Sequence, residues 1–300
     1  MSQIAFLGAL ELGLIYGLVA LGVFLSFRVL SFPDLTVDGS FPLGAAVAAS
    51  AIVAGIDPYL GTLLAIVAGA LAGLVTAVLN VRFHILHLLA SILTMIALFS
   101  INLRIMGRPN IALLTEETVL TPLATLGIWM PLLKVLAAGV VALVAALLLI
   151  RFLASDYGLA MRATGANPRM ARAQGVRTGS TILVGMAISN GLVALAGALF
   201  AQTAGFADIS LGTGTIVVGL AAVIVGETIL PSRHIGLVVL ACLVGSILYR
   251  LAVALALNSD VLGLTASDLN LVTAVLVGIA LILPNARNPL KALFARRAVP

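Results

Sequence analysis

Charged side chains are scarce in this chain. Asp, Glu, Lys and Arg make up 9% of its 300 residues, hydrophobic residues make up 62%, and the mean hydropathy is +1.24. A soluble domain carries about 25% charged residues, so this composition excludes a protein that is surrounded by water. The apolar runs are continuous rather than alternating, which excludes a β-barrel and predicts an all-α, polytopic membrane protein.

Cysteine and catalytic motifs are also scarce. The lone Cys242 allows no internal disulfide, and His84 and His87 do not form the His-Glu-x-x-His pattern of a helical zinc site. No nucleophile is paired with a base, so we expect no catalytic residue, no metal and no cofactor on this chain. The net charge of +5 is explained by basic cytoplasmic loops rather than by nucleic-acid binding. Membrane lipid is the expected surrounding partner.

About nine segments have the length and apolar character needed to span a hydrocarbon core of about 30 Å. They lie near residues 4–25, 40–56, 59–79, 88–106, 132–153, 179–202, 210–229, 235–257 and 268–284. Basic residues collect on the cytoplasmic side of a membrane. The basic loop at 151–177 and the basic C-terminal tail are therefore predicted to be cytoplasmic, and the acidic stretch at 109–131 external. This orientation describes a multi-pass protein of a bacterial-type plasma (inner) membrane with a cytoplasmic C-terminus.

A sequence repeat divides the chain into two related halves. Phe32-Pro33-Asp34-Leu35-Thr36-Val37 recurs as Phe206-Ala207-Asp208-Ile209-Ser210-Leu211, at a displacement of 174 positions (206 − 32). Polar breaks at corresponding places are typical of transporters built from repeats, whose substrate path lies at the repeat junction. The halves cover about 1–131 and 179–284 of a single domain, 1–300, and the predicted orientation makes them run in opposite directions. Chance similarity between Ala/Gly/Leu-rich helices is the alternative, which the ungapped Phe-x-Asp match disfavours.

The two breaks, near 32–40 and 206–214, supply the candidate substrate path. Ionisable side chains at membrane depth are costly unless they face a bundle interior or a wet cavity. The candidates are Phe32, Asp34, Thr36, Asp38, Gly39, Phe206, Asp208, Ser210, Gly212 and Gly214. The free N-termini of broken helices favour anionic groups, whereas the nearby carboxylates favour cations. This mixture suits a solute that carries both charges, such as an amino acid.

These candidates also have a structural interpretation. Asp34 and Asp208 are favoured helix N-caps, which satisfy the first amides of a helix. The two roles are compatible, because a helix that is broken at a cavity needs its amides satisfied. Phe32 and Phe206 either line an apolar gate or pack in the ordinary way. Asn102 is expected to be a hydrogen-bond partner between helices.

The cytoplasmic loop at 154–178 contains signals for a short helix. Asn167 is a favoured N-cap, Pro168 fits the first helical position, and Gly175 is a favoured C-terminal stop. A helix of about two turns is only marginally stable alone, so we expect it to dock on another surface with its arginines toward water. The alternative is a basic loop that lies on anionic lipid.

Three motifs carry a resemblance to one family. The loop contains the pattern Gly158-x3-Arg162-Ala163-x-Gly165-x-Asn167-x3-Ala171-x3-Gly175. It resembles the coupling loop of ABC importer permeases in the branched-chain amino acid and ribose-type superfamily, and the segments 34–39 and 216–228 resemble two further motifs of that superfamily. The resemblance covers nearly the whole chain and is greatest to the uncharacterised tryptophan/tyrosine-type permeases. Phe32-Pro33 in place of Gly-Ile, and Glu227 in place of Gly, argue against a sugar as the substrate.

The resemblance implies the permease subunit of an ATP-driven importer for a small solute, an amino acid or a related compound. The residues that would couple it to a separate cytoplasmic ATPase are Gly158, Arg162, Gly165, Asn167, Pro168, Ala171 and Gly175. ATP would bind that partner subunit, because this chain has no Gly-x4-Gly-Lys-[Ser/Thr] phosphate loop. An extracytoplasmic solute-binding protein and a second permease copy, forming a homodimer, are the other implied partners. The alternative is an ion-coupled secondary transporter or channel with Asp34 and Asp208 at the coupling site, which has no need for a capped docking loop.

Overall fold

The computed structural model describes residues 2–124, 127, 129–232 and 234–257, together with positions 274, 275 and 278. Its helices are α1 Gln3–Val23, α2 Val37–Val53, α3 Pro58–Val81, α4 His87–Met106, α5 Thr121–Ala124, α6 Met130–Leu153, α7 Asp156–Ala166, α8 Pro168–Ala173, α9 Thr178–Ala204, α10 Thr215–Ile229 and α11 Ile235–Leu257. A π-helical turn, Phe24–Val29, extends α1, and a 3-10 turn, Ile209–Gly212, precedes α10. Two short strands, β1 Asn110–Ala112 and β2 Phe206–Asp208, complete the described elements.

Seven candidate membrane spans occur in the described part of the chain, counting the 3-10 turn and α10 together. The predicted all-α, polytopic architecture is confirmed. The predicted number of about nine is not confirmed. One reason is α2, which at 17 residues is short for a span because the residues before it form the break. The other is that the predicted segment 268–284 and the C-terminal tail lie outside the described residues.

Helix α9 lies at the centre of the bundle, in contact with α1, α2 and α3. Glycines allow α3 and α9 to approach each other closely, because a Cβ at Gly69 or Gly73 of α3 would overlap the backbone of α9 near Asn190 and Met186. Their spacing places both glycines on one face of α3, which is the small-residue pattern of helix pairs in membranes. Lipid tails are as apolar as leucine, so van der Waals contact of this kind is a main source of helix association.

The contacts of α9 also define its direction relative to α1. Helices α1 and α9 are antiparallel, because Gly22 of α1 lies against Ser189, whereas Leu30, which follows the π-helical turn, lies against Gly185. Each of these helices also packs on the opposite half of the chain: α1 contacts α10 and α11, and α9 contacts α2 and α3. Opposite directions for α1 and α9 are what inverted halves require, and the division into two related halves stays a prediction.

The two strands join the stretch after α4 to the second break. They are antiparallel, with Asn110 opposite Asp208 and Ile111 opposite Ala207. The sequence analysis did not predict this pairing. It fixes the backbone of the second break and brings an asparagine side chain beside Asp208.

Candidate substrate cavity between the helix breaks

The first break lies between α1 and α2, and its aspartate is buried. Asp34 Oδ1 accepts a hydrogen bond from the backbone N–H of Thr36 at 2.9 Å, and Oδ2 accepts one from Asn190 Nδ2 at 2.8 Å. The Ser40 hydroxyl in turn donates to Asn190 Oδ1 at 2.7 Å. A buried carboxylate requires such donors. These bonds connect the first break to the middle of α9.

The second break has the same turn around the equivalent aspartate. Asp208 Oδ1 accepts from the backbone N–H of Ser210 at 2.8 Å, and Oδ2 accepts from Asn110 Nδ2 at 3.1 Å. The Ser210 hydroxyl donates to the same carboxylate, and this bond is the main reason why the pKa of Asp208 lies below its ordinary value. The surroundings of the two aspartates differ, because Asp34 is fully buried and Asp208 is partly exposed.

The two breaks meet at Asp38. Its carboxylate oxygens accept from the backbone N–H groups of Ile216 at 2.7 Å and Gly214 at 3.3 Å, which are at the start of α10. Gly214 has a φ of 79°, a conformation that glycine adopts without strain. A Cβ at Gly212 would overlap the carbonyl oxygen of Asp38. The start of α10, which we expected to be free for an anionic group, is therefore occupied by a carboxylate from α2.

A cavity of about 460 Å³ lies where the breaks meet. Four of the predicted path residues border it: Asp38, Gly39, Ser210 and Gly212. The other wall residues are Pro42, Ile209 and Thr213, together with Met95, Ile96, Phe99, Ser100 and Asn102 from α4. The sequence analysis missed the contribution of α4, because no break or charge marks the residues that face the cavity. Asn102 does bond between helices as expected, since its Nδ2 donates to the carbonyl of Gly39 at 3.2 Å.

Other predicted path residues lie outside the cavity wall. Phe32 is buried, with its ring 4.4 Å from that of His87. The hydroxyl of Thr36 shares a hydrogen bond of 2.7 Å with that of Thr76. The Phe206 ring packs edge-on against a neighbouring aromatic ring at 6.1 Å. The structure thus places these side chains in packing contacts around the breaks.

The loop at 154–178 folds as two short helices, α7 and α8. Asn167 Oδ1 accepts hydrogen bonds from the backbone N–H groups of Arg169 and Met170, at 3.1 and 3.0 Å. Pro168 begins α8, and Gly175 follows its end with a φ of 83°. The predicted helix between Asn167 and Gly175 is therefore confirmed, whereas α7 was not predicted.

Helix α7 packs on the end of the first helix. A Cβ at Gly165 would overlap the carbonyl oxygen of Val29, a few residues before the first break. Arg162 borders a neighbouring cavity whose wall also contains Arg28 and Glu227. Those two side chains form a bidentate ion pair, with N–O distances of 2.7 and 2.9 Å. The loop, the end of α1 and the end of α10 are thus brought together.

The remaining loop residues have distinct positions. Gly158, near the start of α7, lies against the backbone of Phe152 and Leu153, with no room for a Cβ. Ala171 forms the buried side of α8 at 3% exposure, whereas its neighbour Met170 is 63% exposed. The outward face of α8 therefore consists of Met170 and the arginines.

The sequence matches one protein family over most of its length. A family described as "Branched-chain amino acid transport system / permease component" matches residues 5–284. The chain belongs to this family. The permease is 38% identical over 264 residues to the tyrosine transport system permease protein of Clostridioides difficile (strain R20291), covering 88% of this chain and 86% of that protein. It is 35% identical over 277 residues to an uncharacterised protein of Rickettsia prowazekii (strain Madrid E), covering 91% and 95% of the two chains.

A solved structure shares the fold of the permease. PsaBC from Streptococcus pneumoniae in complex with Fab aligns with a TM-score of 0.51 and 14% identity, over 93% of this chain and 90% of that one. At this identity the likeness shows the fold alone. Together with the family membership, it makes this permease a multi-pass membrane transport subunit, as the resemblance implied. Within its described residues, no three His, Cys, Asp or Glu side chains gather closely enough to hold a metal ion.

Proposed function

We propose that this permease is the membrane-spanning subunit of an ATP-driven importer, coupled to a separate ATPase through residues 158–175. The observation that carries the proposal is the packing of α7 on the carbonyl of Val29, where α1 leads into the first break. An ATPase docked on α7 and α8 would press directly on this backbone. Family membership supports the proposal, because permeases of this type act with an ATPase and an external solute-binding protein.

The contacts between the breaks support a route from the loop to the cavity. A shift of α7 moves the end of α1 and the backbone around Asp34. The start of α2 moves with that backbone, and Asp38 transmits the motion to α10 through its bonds to Gly214 and Ile216. Since the cavity lies between these elements, its shape changes when the loop moves. Such a change is what alternating access to a solute requires.

The proposed solute is an amino acid or a related compound. The tyrosine transport system permease of Clostridioides difficile, at 38% identity, is one support. The cavity is another, because it combines one carboxylate and several hydroxyl groups with apolar side chains from α4. A homodimer is the simplest assembly, with each copy receiving one ATPase. We place this assembly in the bacterial inner membrane, with the loop and the C-terminus on the cytoplasmic side.

A crosslinking experiment tests the coupling. The single thiol is moved by combining Cys242→Ala with Met170→Cys, because Met170 is exposed whereas Ala171 is buried. Crosslinking in native membranes followed by mass spectrometry identifies the captured protein. The matched control places the thiol at Leu114, which is 83% exposed in the stretch predicted to be external.

Capture of a P-loop ATPase from position 170 and not from position 114 supports the proposal. Capture of no ATPase from an intact, membrane-inserted variant overturns it and favours ion-coupled transport. Uptake of labelled tyrosine is measured alongside, in cells with and without the permease. Equal uptake by the two strains would overturn the proposed solute class. It would not bear on the ATPase coupling, which the crosslinking experiment tests separately.

A further inference from the structure

We propose that the cavity between the helix breaks recognises the ammonium group of its solute, with Asn102 and Asp38 as the hydrogen-bond acceptors. This inference rests on the proposed function, and it assigns the polar end of the solute to a defined wall of the cavity. Three features of the cavity support this assignment: an acceptor without a donor, the charge of the wall, and the apolar residues beside the polar ones.

The acceptor is the side-chain oxygen of Asn102. This residue is 0% exposed, and its Nδ2 donates to the carbonyl of Gly39 at 3.2 Å, which orients the amide. Its Oδ1 is buried and accepts no hydrogen bond from any residue that the structure describes. Buried polar atoms are nearly always paired, and an exception points to a ligand or another missing partner. Asn102 belongs to the cavity wall, so an N–H group of a bound solute is a suitable donor.

The charge of the wall also favours a cation. Among the described residues that border the cavity, Asp38 is the one charged side chain and none is Lys, Arg or His. Each Asp38 oxygen already accepts one backbone N–H, but a carboxylate has about four acceptor sites, so capacity remains. A solute carboxylate placed beside Asp38 would be repelled, whereas an ammonium group at that position would be attracted.

The third feature is the combination of acceptors and apolar residues around the cavity. An ammonium group has three donors, and the wall contains acceptors on Asn102, Asp38 and hydroxyl groups such as that of Thr213. The apolar part of the wall includes Met95, Ile96 and Phe99, which lie on α4 together with Asn102. The volume of about 460 Å³ lies within the range of about 300–1,000 Å³ for small-molecule sites. The cavity therefore suits a primary amine that carries an apolar or aromatic side chain.

The test measures selectivity on the permease–ATPase complex in nanodiscs without the solute-binding protein, which would impose its own selectivity. Binding of labelled tyrosine is competed with tyramine, which lacks the carboxylate, and with 3-(4-hydroxyphenyl)propionate, which lacks the ammonium group. We expect tyramine to compete within about tenfold of tyrosine, and the deaminated acid to be about 100-fold weaker, because a site built for hydrogen bonding rejects analogues that lack the group.

The variants separate recognition from stability. Asn102→Leu should weaken tyramine binding about tenfold and reduce the preference for tyramine over the deaminated acid. Asn102→Asp keeps an acceptor and should retain that preference. The matched control is Asn80→Leu, since Asn80 also donates to a backbone carbonyl, that of Ile85 at 2.8 Å, but is not among the cavity residues. Asn80→Leu should leave the preference unchanged.

The outcomes distinguish this inference from the proposed function. If the wild-type complex binds tyrosine but binds the two analogues with equal affinity, the ammonium site is overturned. The proposed importer function is not affected by that result. If Asn102→Leu still prefers tyramine over the deaminated acid as strongly as the wild type, Asn102 is not an acceptor for the ammonium group. Wild-type transport of a solute that lacks an amine, with no binding of tyrosine or tyramine, would overturn both the site and the proposed solute class.

Discussion

Asp38 accepts a hydrogen bond from the backbone N–H of Ile216 at 2.7 Å, so a residue at the start of α2 caps the start of α10. The N-terminus of a helix carries roughly half a positive charge and several unpaired N–H groups. Within a membrane no bulk water is present to satisfy them. One carboxylate therefore stabilises the broken helix of the opposite half and holds the two breaks together beside the cavity.

Replacing Asp38 with Asn should lower transport more than it lowers stability. Ile216 and Gly214 donate to different oxygens of Asp38, and in asparagine one of these oxygens is replaced by an NH2 group, which donates and cannot accept. We expect a loss of about 1 kcal/mol in the free energy of unfolding and a loss of uptake greater than about tenfold, because the breaks are no longer fixed relative to each other. Thermal unfolding of the purified protein and uptake in cells measure the two effects.

Asp57→Asn is the matched control for Asp38→Asn. Asp57 caps α3 by accepting from Tyr59 and Leu60 within its own helix, at an exposed position. Asn and Asp are nearly equivalent as N-caps, so uptake should be unchanged. Normal uptake in Asp38→Asn would show that the cap between the halves has no part in transport.

The equivalent aspartates Asp34 and Asp208 should respond differently to the same substitution. Asp34→Asn leaves Thr36 or Asn190 without an acceptor in a buried place, at a cost of about 1–3 kcal/mol. Asp208 is partly exposed, so water replaces the lost bond and Asp208→Asn should cost less than about 0.5 kcal/mol. Thermal unfolding of the two variants measures the difference. Loss of transport in Asp208→Asn at full stability would contradict its role as a cap and favour the ion-coupled alternative.

The sequence allowed the helices and the breaks to be predicted, because both depend on local composition. The run from Pro58 to Val81 is long and apolar, and the Asp-x-Thr and Asp-x-Ser turns at residues 34 and 208 are short-range features. Three features were not predicted: the β1–β2 pairing, the cap from Asp38 to Ile216, and Gly39 as the partner of Asn102. Each joins segments that are far apart in the chain, and no local pattern specifies which segments will meet.

Gly165→Ala should uncouple ATP hydrolysis from transport. The added methyl group would overlap the carbonyl of Val29, so α7 has to move away from the end of α1. We expect the complex to assemble and hydrolyse ATP while uptake into proteoliposomes falls by more than about tenfold. Gly8→Ala is the control, since nothing lies within 4 Å of its added Cβ, and helix propensity favours alanine there. Coupled transport at the wild-type rate in Gly165→Ala would contradict the proposed route.

The ion pair between Arg28 and Glu227 should contribute little to stability despite its bidentate geometry. The side chains are 64% and 25% exposed, and exposed pairs are typically worth about 0.2–1 kcal/mol. A double-mutant cycle of Arg28→Gln and Glu227→Gln, measured by thermal unfolding, should therefore give a coupling energy in this range. The coupling should decrease at high salt, because ions screen charges at the surface. A coupling energy above about 2 kcal/mol that salt does not change would show that the pair is shielded from water, as in an assembly that covers the ends of α1 and α10.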